Sequence, residues 1–364
     1  MKTVRWGIIG CGDVTEVKSG PALQLARGSE LVAVMRRNGA LARDYAARHR
    51  VPKWYDDADA LINDPDVNAV YVATPPGSHC ESALKVCAAG KPAYVEKPMA
   101  RNLAECKQMV GAFHERGLPL FVAYYRRALP RFLKAKELID LGRLGTISSV
   151  DYVYEEPLRP LPPAGLPWRF DPEQSGGGLF FDLGSHALDI LDFLIGPLTD
   201  VAGCASNLSG AYAVEDNVVM QFRTESKIRG TASWNFAGLD RRDEVRFVGA
   251  DGRMTLSVFG NDPVSVEDQS GTETIELLNP RHIQQPLIQS VVDDLLGRGA
   301  CPSTGGSAAR TSLVMDRVTC SYFGSRDWGF WNCPEEWPGS PRKGLREAGA
   351  DSSGSGVSSG GTCA

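Results

Sequence analysis

Over its first 125 or so residues the chain alternates short apolar runs with stretches of helical spacing about six times, and that rhythm leaves few folds open. The runs are Val4–Ile9, Glu30–Met35, Lys53–Tyr55, Asn68–Ala73, Ala93–Val95 and Leu118–Tyr124, each bounded by glycine, proline or polar residues. Near-continuous apolar runs of this length read as strands covered on both faces. Between and after them, Ala40–Arg48, Ala58–Asn63, Glu81–Ala88, Leu103–Arg116 and Pro130–Leu141 carry helical spacing. Such alternation gives a parallel, doubly wound sheet with right-handed crossovers. In a sheet of that kind, ligands collect beyond the carboxyl ends of the strands.

The texture changes near Thr146. Ile147–Glu155 alternates in the manner of a strand (Val150, Tyr152 and Tyr154 against Ser149, Asp151 and Val153). Further strands are expected at about 200–207, 216–223, 228–236, 243–249, 252–259 and 263–268, with amphipathic helices at Ile283–Leu296 and Ser307–Val318. The fold class is therefore α/β: a Rossmann-type sheet over 1–125, then an α+β domain over 126–320 with an open, mostly antiparallel sheet. Residues 321–364 read as a C-terminal extension whose Ser/Gly-rich part, from about 338, is expected to be disordered. Two domains suit 364 residues. A net charge of −5 without a basic stripe argues against nucleic acid as a partner. No secretory signal and no run of eighteen apolar residues is found, which points to a cytoplasmic protein without membrane partners. The nine cysteines are scattered without a Cys-x-x-Cys pair, so buried reduced thiols are expected.

The strand ends carry the candidate chemistry. Gly10-Cys11-Gly12-Asp13-Val14-Thr15 follows the first strand as a dinucleotide fingerprint with threonine in its third glycine place. Gly10 serves the tight turn and Gly12 the approach to a pyrophosphate, with Asp13 and Val14 opening the helix. The second strand ends in Arg36-Arg37, where an NAD enzyme usually places a carboxylate for the ribose 2′-hydroxyl. Two cations suit a 2′-phosphate, so NADP(H) is the expected cofactor, with NAD(H) possible. The fourth ends in Thr74-Pro75, followed by His79, which could face the nicotinamide side of a cofactor. The fifth ends in Glu96-Lys97-Pro98, placing Lys97 at the seam between cofactor and substrate. Tyr125 and Arg126 follow the sixth as substrate-contact candidates.

In the second domain, Gly176-Gly177-Gly178 leads into Asp182, His186 and Asp189, spaced by four and three so that they share one face of a helix. A carboxylate one turn from an imidazole orients it for proton transfer near neutrality. The glycines permit close backbone approach to a ligand. Trp168 and Arg169, just before them, are candidate walls of a substrate pocket. The five histidines show no metal-ligand spacing, so no metal is expected.

In this order, Gly10-x-Gly12, Thr74-Pro75-Pro76, Glu96-Lys97-Pro98, Tyr125-Arg126-Arg127, Gly142-x-x-Gly145 and Asp182-x-Gly184-x-His186-x-x-Asp189 resemble the Gfo/Idh/MocA family, that is, glucose–fructose oxidoreductase, inositol dehydrogenase and rhizopine catabolism proteins. The resemblance spans about residues 1–320, and its basic Arg36-Arg37 end is similar to NADP-using members such as the 1,5-anhydrofructose reductases. It implies an NAD(P)-dependent oxidoreductase acting on CH–OH groups of a sugar, polyol or keto-sugar, and a homo-oligomer formed through the C-terminal sheet. Carried onto this chain, it implies Lys97 polarising the substrate oxygen, His186 as acid/base, and Asp182 orienting His186 or binding a substrate hydroxyl, while Glu96 and Lys97 stand at the cofactor. A non-catalytic, dinucleotide-sensing regulator or scaffold is the alternative, since fold does not fix function; loss of Lys97 or His186 would mark it, and both are present.

Overall fold

The computed structural model describes residues 2–163 and 165–340. They form two compact units, the first made of the residues up to Ala100, Glu105–Leu141 and Ile275–Arg310, the second of Arg101–Ala104, Gly142–Thr274 and the residues from Thr311 onward.

The first unit is built on six parallel strands: β1 (Val4–Ile9), β2 (Ser29–Met35), β3 (Lys53–Tyr55), β4 (Ala69–Val72), β5 (Ala93–Val95) and β6 (Leu120–Val122). Their order is β3-β2-β1-β4-β5-β6. The order reverses direction beside β1, and a crevice for a ligand opens at such a switch point. The centre of the sheet is apolar because helices cover both faces; every residue of β4 and β5 is buried. Ile9, Val72, Val95 and Val122 pack with Met109 and Phe113 of the helix Leu103–Glu115. Asn38 ends the strand-to-helix turn after β2 by accepting the Leu41 N–H at 3.2 Å, a cap for the helix Gly39–His49. The helix after the glycine loop departs from regular spacing. It begins as a π-turn, Thr15–Ser19, and only then becomes α-helical over Gly20–Leu25. The Thr15 carbonyl accepts both the Gly20 N–H, closing the π-turn, and the Tyr45 hydroxyl at 2.8 Å. A Cβ on Gly20 would stand 2.2 Å from that hydroxyl, which is why glycine is required there.

The second unit carries eight strands: β7 (Ile147–Pro157), β8 (Leu198–Ser206), β9 (Asn217–Thr224), β10 (Arg229–Gly238), β11 (Arg242–Gly249), β12 (Gly252–Leu256), β13 (Val264–Asp268) and β14 (Gly271–Ile275). The order is β14-β13-β12-β11-β7-β10-β9-β8, with β7 and β10 parallel and β11 antiparallel to β7. One face is apolar: Val150, Tyr152 and Tyr154 on β7, Val218, Met220 and Phe222 on β9, and Trp234 on β10 are all buried. The alternation read in the sequence at Ile147–Glu155 is the alternation of the sheet. Phe180 packs on Trp234 with 4.8 Å between ring centroids, ahead of the buried helix Ser185–Ile195.

Two elements differ from expectation. β12 stops at Leu256 instead of continuing to residue 259, because Asp243 captures the Val258, Phe259 and Gly260 N–H groups at 3.1, 2.5 and 2.8 Å and turns the chain. The helix near Ser307–Val318 is longer, Gly305–Phe323. The extension is also ordered at its start: Trp337 is buried against Phe323, with centroids 4.7 Å apart, and the Gly339 N–H donates to the Tyr322 carbonyl at 3.0 Å. The Ser/Gly-rich stretch expected to be disordered from about 338 lies, from residue 341 on, outside the described residues. Cys11, Cys80, Cys87, Cys106 and Cys301 are free and buried. Among the described residues no helix is long and apolar enough to cross a membrane.

Candidate active site

The parallel sheet brings the first unit's candidates to one edge. Gly10–Val14 follows β1, Arg36-Arg37 follows β2, Thr74-Pro75 follows β4, Glu96-Lys97 follows β5 and Tyr125-Arg126 follows β6. At the switch point Gly10 has φ +90°, and a Cβ there would stand 2.7 Å from the Thr74 Cγ2. Glycine is needed for both reasons. Gly12 differs: a Cβ there meets nothing closer than the Gly10 carbonyl oxygen at 4.0 Å, so the space above it is open. Thr15, in the third glycine place, is buried, and its hydroxyl donates to the Gly12 carbonyl at 2.7 Å. Arg36 and Arg37 are exposed. Burial pushes the Cys11 thiol up to about 11, and the Arg36 charge is near enough to pull against it. That places positive charge beside the glycine loop.

Lys97 is half-buried at the end of β5, and its peptide bond to Pro98 is cis. Glu96 turns inward. Its carboxylate accepts the Tyr71 hydroxyl at 2.6 Å and the Gln284 side-chain amide at 2.7 Å on one oxygen, and the Lys97 N–H at 3.0 Å on the other. His79 is wholly buried, with Nδ1 3.1 Å from the Pro98 carbonyl and Nε2 2.7 Å from the Thr74 carbonyl. Burial lowers its pKa, against the pull of those carbonyls. Neither ring nitrogen is turned to an outside ligand, so the side chain ties the Thr74 turn to the loop after Lys97. His79, expected on the nicotinamide side, has both ring nitrogens at these carbonyls, and the carboxylate of Glu96, expected at the cofactor, is held by Tyr71, Gln284 and the Lys97 N–H. Tyr125 and Arg126 are both buried, with the guanidinium 4.9 Å from the Tyr125 ring centroid.

In the second unit Trp168 and Arg169 lie on the 3₁₀ turn Trp168–Phe170, and Asp182 lies in a π-turn, Phe180–Gly184, that precedes the helix of His186 and Asp189. The Asp182 carboxylate accepts from the Arg169 Nε at 2.7 Å, and that guanidinium lies 4.4 Å from the Trp168 ring centroid. The three candidates Trp168, Arg169 and Asp182 are therefore one cluster. The His186 ring is buried beside Phe259, with centroids 6.0 Å apart. On the side a Cβ would occupy, the glycine run is packed by the chain itself. A Cβ on Gly176, Gly177 or Gly178 would stand 2.5 Å from the Arg101 carbonyl oxygen, 2.1 Å from the Phe181 ring or 2.4 Å from the Glu215 carbonyl oxygen, respectively. What approaches those glycines is the chain itself.

Four residues near these groups escape sequence reasoning. Tyr71 and Gln284 hold Glu96, the second from a segment 188 residues away. Glu215 is fully buried and accepts the Gly178 N–H on both oxygens at 2.9 and 2.8 Å. Phe259 sits on the turn made by Asp243, and the only local sign of it was glycine at 260. Among the described residues no three His, Cys, Asp or Glu side chains are grouped to hold a metal ion.

Two family models match the chain: the Gfo/Idh/MocA oxidoreductase family with NAD-binding Rossmann fold over residues 4–124, and the Gfo/Idh/MocA C-terminal domain over residues 132–255. The chain belongs to the Gfo/Idh/MocA family. It is thus an oxidoreductase with a dinucleotide-binding Rossmann fold and a Gfo/Idh/MocA C-terminal domain, as its motifs implied. Among Gfo/Idh/MocA relatives, an oxidoreductase of Formosa agariphila is 37% identical over 317 residues, covering 86% of this chain and 97% of that protein. A 1,5-anhydro-D-fructose reductase of Ensifer adhaerens is 31% identical over 226 residues, 62% of this chain and 67% of that protein. The solved structure of levoglucosan dehydrogenase in complex with NADH and levoglucosan is similar in fold, with a TM-score of 0.80 at 22% identity over 87% of this chain and 96% of that one.

Proposed function

We propose that this chain is an NADP(H)-dependent oxidoreductase of the cytoplasm that moves a hydride between the nicotinamide and an oxygen-bearing carbon of a sugar, polyol or keto-sugar. The observation that carries the reading is the collection of an open glycine turn, two exposed arginines and Lys97 along one edge of a parallel sheet. The space over Gly12 fits a pyrophosphate, with the backbone of Gly10, Asp13 and Val14 around it, and Arg36 and Arg37 suit a 2′-phosphate. Thr74 and Pro75, which follow the neighbouring strand β4, are the further cofactor contacts of this reading. When bound, the cofactor donates or accepts the hydride.

The chain's own part is to handle the oxygen and its proton. Lys97 donates to the substrate oxygen and stabilises the charge that develops there. His186 gives or takes the proton. Asp182, held by Arg169, is suited to a substrate hydroxyl, and Trp168, Tyr125 and Arg126 are the remaining substrate contacts. The relatives support the substrate class, because one is named for 1,5-anhydro-D-fructose and a structural neighbour holds levoglucosan. We further assign homo-oligomer formation to the outward face of the second unit's sheet, where Val219 on β9 is 44% exposed.

The test is a fluorescence titration with NADPH and NADH, followed by turnover on a panel of sugars, polyols and keto-sugars. Tighter NADPH binding is expected, with Arg36→Asp shifting preference toward NADH by about tenfold or more. Lys97→Ala and His186→Ala should each lower kcat by about a hundredfold or more while the fold persists. Wild-type kinetics in both variants would sink the mechanism, and failure to bind either cofactor would sink the whole reading.

A further inference from the structure

Glu96 precedes Lys97, and its carboxylate is buried where an apolar side chain would be easier to accommodate. Three donors compensate it: the Tyr71 hydroxyl at 2.6 Å, the Gln284 Nε2 at 2.7 Å and the Lys97 N–H at 3.0 Å. The Glu96 N–H is itself fixed to the Val72 carbonyl at 2.8 Å, so both ends of the residue are held. Gln284 is 1% exposed, and its amide orientation follows from its neighbours. A carboxylate only accepts, so the amide nitrogen must face Glu96, and the amide oxygen accepts the Tyr94 hydroxyl at 3.2 Å. Tyr71 and Tyr94 stack at 4.9 Å with 24° between planes, which leaves their hydroxyl positions little freedom. Gln284 stands at the start of the helix Gln285–Leu295, whose Leu287, Ile288, Val291 and Val292 are buried. That packing brings a residue from late in the chain to the end of β5.

Satisfied polar networks in a core fix one geometry at the risk of a heavy penalty if any member is lost. Here the geometry fixed is that of the backbone at Lys97. We propose that Gln284 is a positioning residue that sets the pose of Lys97 through Glu96, with Tyr71 as its partner on the same carboxylate oxygen. This rests on the reading of Lys97 as the group that polarises the substrate oxygen.

Gln284→Met keeps the volume and removes the donor. The expected result is a kcat about tenfold lower, with NADPH affinity within twofold of wild type and a melting temperature within a few degrees. In a Lys97→Ala background the same change should lower kcat no further, because residues acting as one unit are not additive. Tyr71→Phe, a milder loss at the same oxygen, should show a smaller drop with the same non-additivity, and it carries the test if Gln284→Met does not fold. Unchanged kcat in both variants overturns the proposal. So does an equal loss in the wild-type and Lys97→Ala backgrounds, which is the mark of a structural role. If Lys97→Ala alone turns over like wild type, the assignment of Lys97 fails and this inference falls with it.

Discussion

Two glycine-rich segments, Gly10–Gly12 in the first unit and Gly176–Gly178 in the second, look alike in sequence and do opposite things. At Gly12 a side chain would project into open space. At Gly176, Gly177 and Gly178 it would strike the Arg101 backbone, the Phe181 ring and the Glu215 backbone at 2.5 Å or less. Gly12 leaves open space beside the chain, whereas Gly10 and all of the second run let the chain pack on itself. A glycine run therefore marks close approach without saying what approaches.

The largest test of this contrast is Gly178→Ala. The obstructing atoms are the carbonyl oxygen and side chain of Glu215, so backbone must move, and overpacking of that kind costs about 3 kcal/mol. Urea unfolding should register that loss. A stability within 0.5 kcal/mol of wild type would show that the second run is as open as the first.

Glu215 sharpens the contrast from the other side. Burial raises its carboxyl to about 8; the Gly178 N–H and the Arg326 charge pull it down, and Asp216 pushes it up. In the unfolded chain an ordinary glutamate titrates near 4.3. Between those values the folded state binds more protons than the unfolded one, so stability falls as pH rises through that window. The slope approaches about 1.4 kcal/mol per pH unit. Glu215→Gln, which does not titrate, should flatten the unfolding free energy between pH 5 and 8. An unchanged slope would mean that the segment Gly176–Gly178 is not held by a protonated side chain.

What was legible in the sequence follows the range of the interactions involved. The central strands β4 and β5 of the first unit could be read because a strand buried on both faces must be apolar residue by residue. The alternation of Val150, Tyr152 and Tyr154 could be read because one face of β7 is covered. The motifs around Lys97 and His186 were legible as motifs. The π-turns at Thr15–Ser19 and Phe180–Gly184 were not, since one added residue per turn leaves the apolar pattern almost intact. Gln284 and Glu215 were equally hidden: each acts on a partner far along the chain, the second 37 residues from Gly178. The return of Ile275–Arg310 to the first unit has the same cause, because amphipathic spacing says which face of a helix is buried and not against what.

The finest test falls on Gly12. If the space above it serves a pyrophosphate, Gly12→Ala should leave unfolding unchanged within 0.5 kcal/mol, since the nearest atom to the new Cβ is 4.0 Å away. It should still weaken NADPH binding about tenfold, roughly 1.4 kcal/mol, because the methyl group occupies the line of approach. Fluorescence titration beside a urea curve reads both quantities on one preparation. Loss of stability with affinity intact would reverse the assignment, making Gly12 a packing glycine like Gly178 and leaving the first unit's crevice to be explained by other residues. Loss of affinity alone would separate the two runs by function as the geometry separates them by space.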